Sequence, residues 1–142
     1  MARETDPLVS FHFMLDLEGV ATGYFTEIAG LGSENEVVDH GTYNLTQKIP
    51  GRIKWGDITL KRGITSSVDI WQWRKMVEDG KVDDARTNGS IIMLDQELTP
   101  VARWDFEGAW PSKISGPQLQ ADSTNYGVEE LTIVHEYISR IQ

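Results

Sequence analysis

The chain has 142 residues, enough for one domain whose core needs no disulfide or metal to hold it. It contains no cysteine, which excludes disulfides, thiolate metal sites and cysteine nucleophiles together. A formal net charge of −9, from 22 acids against 13 bases, argues against nucleic acid and anionic lipid as partners.

No apolar run approaches the ~20 residues that span a bilayer, so no membrane span is expected. Residues 1–7 carry Glu4, Asp6 and Pro7 and no hydrophobic stretch of the kind a secretory signal needs. Synthesis in the cytoplasm without a signal peptide is the expectation.

Residues 9–17 alternate, with Phe11, Phe13, Leu15 and Leu17 on one face and His12, Met14 and Asp16 on the other. A short turn at Glu18-Gly19 leads to a second β-rich run, Val20 to Ile28, which predicts a hairpin. Residues 34–50 are polar for a hairpin. Two runs can pair about Gly41, but they carry few large apolar residues, so the hairpin is expected to project from the body until Pro50-Gly51 ends it. Ile53 to Lys61 reads as one long strand with Ile58 and Leu60 facing one way.

Residues 67–79 give the one expected helix. Ser66 or Ser67 can cap it, and Asp69 suits its first turn. Ile70, Trp73 and Val77 form an apolar stripe flanked by Trp71 and Met76, and Gly80 is a stop signal. Trp71 and Trp73 are both core candidates. Lys81 to Thr87 reads as a charged connector, and Asn88-Gly89 as a turn or strand start. Ser90 to Asp95 is apolar on both faces and predicts a central strand. Val101 to Glu107 alternates again. Residues 110–127, with Pro111, Gly116, Pro117 and Gly127, read as a long loop, and Val128 to Ile138 as the last strand. Seven or eight short antiparallel strands and one helix covering the sheet predict a mainly β barrel or sandwich, in a single domain over residues 1–142.

Chemistry is hard to find in this pattern. His12, His40 and His135 are far apart and none has a second ligand at metal spacing. No phosphate-binding glycine loop and no nucleophile elbow is present. Asp83-Asp84 fits a solvated turn, and Asp95 with Asp105 fits a cross-strand charge arrangement. The five tryptophans lie among acids rather than bases, which suits core and subunit-interface packing and not base stacking. No catalytic residue, metal or cofactor is expected.

Several phrases, in this order and spacing, carry a resemblance. They are Phe25-Thr26-Glu27-Ile28-Ala29-Gly30-Leu31, Lys48-Ile49-Pro50-Gly51, Ile58-Thr59-Leu60-Lys61-Arg62-Gly63, Trp71-Gln72-Trp73, Trp104-Asp105-Phe106 with Ala109-Trp110-Pro111, and Val128-Glu129-Glu130-Leu131 with Val134-His135-Glu136. Together they resemble the tail-tube proteins of contractile-tailed phages and of extracellular contractile injection systems, over roughly residues 8–140. The resemblance implies a barrel-like fold shared with the type VI secretion tube protein. It implies a structural subunit and not an enzyme. Hexameric rings would stack into a hollow inner tube, with a sheath, baseplate proteins and tube paralogues as partners and room in the lumen for cargo or an effector. It places subunit interfaces on an N-terminal arm, residues 1–8 with Asp6 and Pro7, and on the hairpin at about 34–52, with Val37, Asp39, Tyr43, Leu45, Lys48, Pro50 and Gly51. The second reading is a type VI-like secreted ring that carries or adapts effectors. A third, a small acidic enzyme on a β-barrel, would need a deep pocket with a perturbed acid pair.

Overall fold

The computed structural model describes residues 12–18, 21–63, 68–116 and 127–142. In chain order the elements are β1 (His12–Leu17), β2 (Ala21–Phe25), β3 (Glu27–Ala29), β4 (Ser33–Thr42), β5 (Leu45–Trp55), β6 (Ile58–Gly63), α1 (Asp69–Glu78), α2 (Val82–Ala85), β7 (Thr87–Leu94), β8 (Pro100–Ser115), β9 (Val128–Val134) and β10 (Tyr137–Arg140). Eight strands form the body in the order β2-β1-β7-β8-β9-β6-β3, with β10 also on β8; β4 and β5 pair only with each other. Every pairing is antiparallel.

The sixteen-residue β8 explains the shape. Its first half pairs with β7 (Ile91 opposite Trp104) and β10 (Ile138 opposite Phe106). Its second half pairs with β9 (Ile114 opposite Leu131). Between the halves lies a bulge in which Gly108 takes φ +64 and the Asn88 side-chain oxygen accepts its N–H at 3.1 Å. A bulge with a left-handed glycine bends a strand, so β8 crosses from one sheet to the other. The two sheets curl over one core that includes Leu15, Phe25, Leu60, Ile91, Phe106 and Ile133. The fold is mainly β, antiparallel and barrel-like, with α1 packed against β8.

The expected loop at 110–127 is therefore corrected in its first part: residues 110–115 continue β8. Pro111 lies beside a register irregularity, the kind of position where a strand tolerates proline, and its carbonyl accepts Arg74 Nη1 at 3.0 Å. Residues 117–126 lie outside the described residues.

Three other expected strands are each divided. The run from 20 to 28 bends at Thr26, whose N–H goes to the Lys61 carbonyl, so β2 pairs with β1 and β3 with β6, at opposite ends of the strand order. The run from Ile53 to Lys61 breaks at Gly56-Asp57. There the backbone passes so close to Gly30 (φ +90) that a Cβ on Gly30 would lie 1.8 Å from the Asp57 carbonyl oxygen. The run from Val128 to Ile138 breaks at His135-Glu136, and the alternation changes phase. Leu131 and Ile133 are buried, but Ile138 rather than Tyr137 is buried beyond the break. His135 accordingly sits at a corner and not within a strand. A period-2 pattern runs on through a bend, so the strand count rises to ten among the described residues.

On α1, Ile70 and Trp73 are buried and Val77 packs against the core from its edge. Trp71 is 37% exposed, which corrects its assignment to the core. The helix ends as a Schellman turn: Lys81 N–H reaches the Met76 carbonyl, Gly80 N–H reaches that of Val77, and Gly80 has φ +82. At its start Val68 makes no side-chain cap, and the proposed caps Ser66 and Ser67 lie outside the described residues. The connector after it contains the helical turn α2, whose Ala85 carbonyl accepts Trp73 Nε1–H at 2.6 Å.

Candidate functional site: the projecting hairpin

Among the described residues, the β4–β5 hairpin forms a sheet of its own apart from the body. Every residue from 32 to 50 is exposed, apolar ones included: Val37, Val38, Tyr43, Leu45 and Ile49. Tyr43 is fully exposed. A two-stranded ribbon is marginal by itself in water.

The register places Val37 opposite Pro50, Asp39 opposite Lys48 and Thr42 opposite Leu45. The turn is the two-residue Tyr43-Asn44, not Gly41, which lies inside β4 opposite Thr46. A register irregularity between Asn35 and Val37 places Gly51 at the bulge, where it is half-buried. The structure thus brings Val37, Asp39, Tyr43, Leu45, Lys48, Pro50 and Gly51 together on one element. It also adds Val38, Ile49 and Ile53, which sequence reasoning missed; the pairing of Val38 with Ile49 follows once the turn is moved from Gly41 to Tyr43-Asn44. Asp6 and Pro7 lie outside the described residues. On the helix, Ile70 and Trp73 are buried in the core and Val77 packs against it.

The hairpin is anchored at Trp55. Its ring meets Tyr137 edge-on with centroids 5.3 Å apart and leans on His135 at 6.2 Å. His135 Nε2 lies 3.0 Å from the Gly56 carbonyl oxygen, which ties the β5–β6 corner to the β9–β10 corner. Burial holds the imidazole below its ordinary pKa, against the opposing pull of the Gly56 carbonyl, the Asp57 charge and the Tyr137 backbone. An open cleft of about 520 Å³ lies at this junction, between Gly30–Glu34 and Lys54–Asp57.

The acids have structural uses. Asp95 accepts the N–H groups of Glu97 and Thr99 in a turn. Burial raises the Asp105 pKa, but the Ser90 hydroxyl at 2.7 Å and Arg103 at 2.9 Å more than offset it, leaving the carboxylate below its usual range. Among the described residues no group of three or more His, Asp or Glu is placed to hold a metal ion. No helix among them is long and apolar enough to cross a membrane.

A model of the T4-like virus tail tube protein gp19 family matches residues 9–139. The chain belongs to this tail tube family. It is a structural tube protein, and the projecting hairpin is a feature of a tail tube subunit. No curated protein matches the chain significantly. Among solved structures, the chain is similar to one from the cryo-EM sheath–tube complex of PVC, an extracellular contractile injection system, in its extended state. That match has a TM-score of 0.83 at 18% identity, over 97% of this chain and 93% of the other. A chain from the baseplate of the anti-feeding prophage matches with a TM-score of 0.76 at 18% identity, over 99% and 97%. Hcp1 from Salmonella typhimurium matches with 0.67 at 10% identity, over 93% and 86%. These likenesses show a shared tube fold.

Proposed function

We propose that this tail tube protein forms hexameric rings that stack into the hollow inner tube of a contractile injection system or phage tail. It would work inside a sheath and on a baseplate, as part of a phage tail-like particle. The observation that carries this reading is the hairpin: on a tube-family body, its apolar residues are exposed, and nothing among the described residues covers them. One domain over residues 1–142 then offers two contact segments, the arm at 1–8 and the hairpin at 34–52. Heterologous contacts close a ring laterally, while ring-on-ring contacts stay open-ended and give a tube. The subunit has a scaffold's role and no catalytic one, and needs no cofactor.

Electron microscopy of the purified protein, and of particles from its native source, tests the reading. Hollow tubes of stacked rings are expected. A chain that stays monomeric at high concentration, with no hollow filament in its source, overturns it. Isolated rings that never stack would favour the carrier or adaptor role instead. Deleting residues 34–50 should leave a folded body that cannot form tubes.

A further inference from the structure

The two hairpin strands carry opposite charge. β4 holds Glu34, Glu36 and Asp39 and no Lys or Arg; β5 holds Lys48, Arg52 and Lys54 and no Asp or Glu. Register sets Glu34 opposite Lys54 and Asp39 opposite Lys48. Yet only Glu36 and Lys54 approach, at 3.7 Å. Among the described residues, Glu34, Asp39, Lys48 and Arg52 make no ion pair within 4.0 Å, and all four are exposed. The apolar residues are shared between the strands, Val37 and Val38 on β4 and Leu45, Ile49 and Ile53 on β5.

We propose that the hairpin docks against the hairpin of a second copy, side by side, with the acidic β4 strand of one copy against the basic β5 strand of the next. This rests on the reading of the chain as a ring-forming subunit and names the partner of its hairpin. The charge pattern selects the contact. An isologous side-by-side contact would set β4 on β4 or β5 on β5, like charge on like charge, and is repelled. A foreign partner of one sign would satisfy one strand and oppose the other. A second copy in the same orientation satisfies both, and leaves each copy with one acidic and one basic strand for its two neighbours. That is a heterologous contact, the kind that closes a ring. Neighbouring hairpins would also cover one another's exposed apolar side chains and the unpaired outer N–H and C=O groups of each strand.

Charge reversal with sedimentation velocity and electron microscopy tests this. The variants are Glu34→Lys/Asp39→Lys, Lys48→Glu/Arg52→Glu, and all four together. Each two-site variant alone should need at least about tenfold more protein to assemble than the native chain, since close like charges cost several kcal/mol and 1.4 kcal/mol is tenfold. An equimolar mixture of the two should assemble, because one hairpin is then basic on both strands apart from Glu36 and the other acidic on both strands apart from Lys54. The fourfold swap restores the native pattern in mirror form and should assemble like the native chain. Circular dichroism checks that each variant folds. If a reversal does not fold, Glu34→Gln/Asp39→Asn and Lys48→Gln/Arg52→Gln replace it and should weaken assembly. A folded fourfold swap that fails to assemble means that the hairpin meets a surface of fixed charge, and overturns the proposal. So do two-site variants that assemble as the native chain does. A native chain that forms no ring or tube overturns the ring-forming reading itself.

Discussion

Arg62 and Glu129 form a buried ion pair across β6 and β9, with Arg62 Nε donating to Glu129 Oε2 at 3.0 Å. The two residues are 6% and 2% exposed. Trp71 Nε1–H donates to the other carboxylate oxygen at 2.8 Å, which pins α1 to the sheet. The guanidinium lies over the Phe25 ring of β2, 5.0 Å from its centre. Among the described residues no backbone ladder joins β2 to β6. The Thr26 N–H bond to the Lys61 carbonyl lies at the end of this seam, and along the rest of it the Arg62 side chain bridges β6 to β2 through Phe25.

Removing one partner strands the other's charge. Glu129→Gln should destabilise the body by ~3–5 kcal/mol, because Arg62 stays buried and uncompensated. The double change Arg62→Met/Glu129→Leu should cost far less, since an apolar pair of similar volume avoids desolvating two charges. Urea denaturation of the two variants checks this. A double variant as unstable as the single one would refute the account.

Gly23, on β2, faces the same guanidinium. A Cβ there would lie 2.8 Å from Arg62 Nη1. A free arginine end could move aside, but this one is held by Glu129 and Phe25. Gly23→Ala should cost about 1–3 kcal/mol by overpacking. In the Arg62→Met/Glu129→Leu background that cost should shrink, and a double-mutant cycle reads the coupling directly. An unchanged cost would place the strain elsewhere.

Alternation made much of this legible. Ile58 and Leu60 point inward, and the same period carries Arg62 inward; Leu131 and Ile133 do the same for Glu129. The charged members were easy to pass over, since a charge after two apolar residues also reads as a strand leaving the core. Trp71 and Trp73 lie two positions apart on a helix, about 200° around its axis, so both cannot face one core. The bends at Thr26, Gly108 and His135 were not legible. Each depends on contacts far along the chain: Lys61 for Thr26, Asn88 for Gly108, Gly56 for His135. The hairpin's projection followed from its scarcity of large apolar residues, whereas its turn was misplaced because Gly41 is the stronger local turn residue.

Trp73 joins core packing to a specific bond. Its ring is 1% exposed and its N–H reaches Ala85 at the end of α2. Trp73→Phe keeps most of the apolar contact but leaves the Ala85 carbonyl without this donor, for an expected loss of about 1–3 kcal/mol. Trp73→Ala adds a large cavity and should cost ~3–5 kcal/mol. Thermal denaturation separates the two. Equal losses would mean that the bond and not the packing dominates.

His135 gives the hairpin's anchor a dependence on pH. Burial lowers its folded pKa, so the folded protein holds it neutral while the unfolded chain titrates near 6.5. Below that value the unfolded state binds more protons than the folded one, and stability rises with pH wherever that holds. The contribution is therefore fully present above about pH 6.5 and is lost as pH falls toward the depressed folded value. His135→Gln keeps a donor that can reach the Gly56 carbonyl and removes the titration. Urea midpoints measured from neutral to mildly acidic pH should fall more steeply for the native chain than for His135→Gln. Asp57, whose charge acts on the ring through space, and Glu136, its neighbour in sequence, remain in both proteins, so the difference between the curves isolates the imidazole. Parallel curves would mean that His135 titrates alike in both states and that its burial does not hold it neutral.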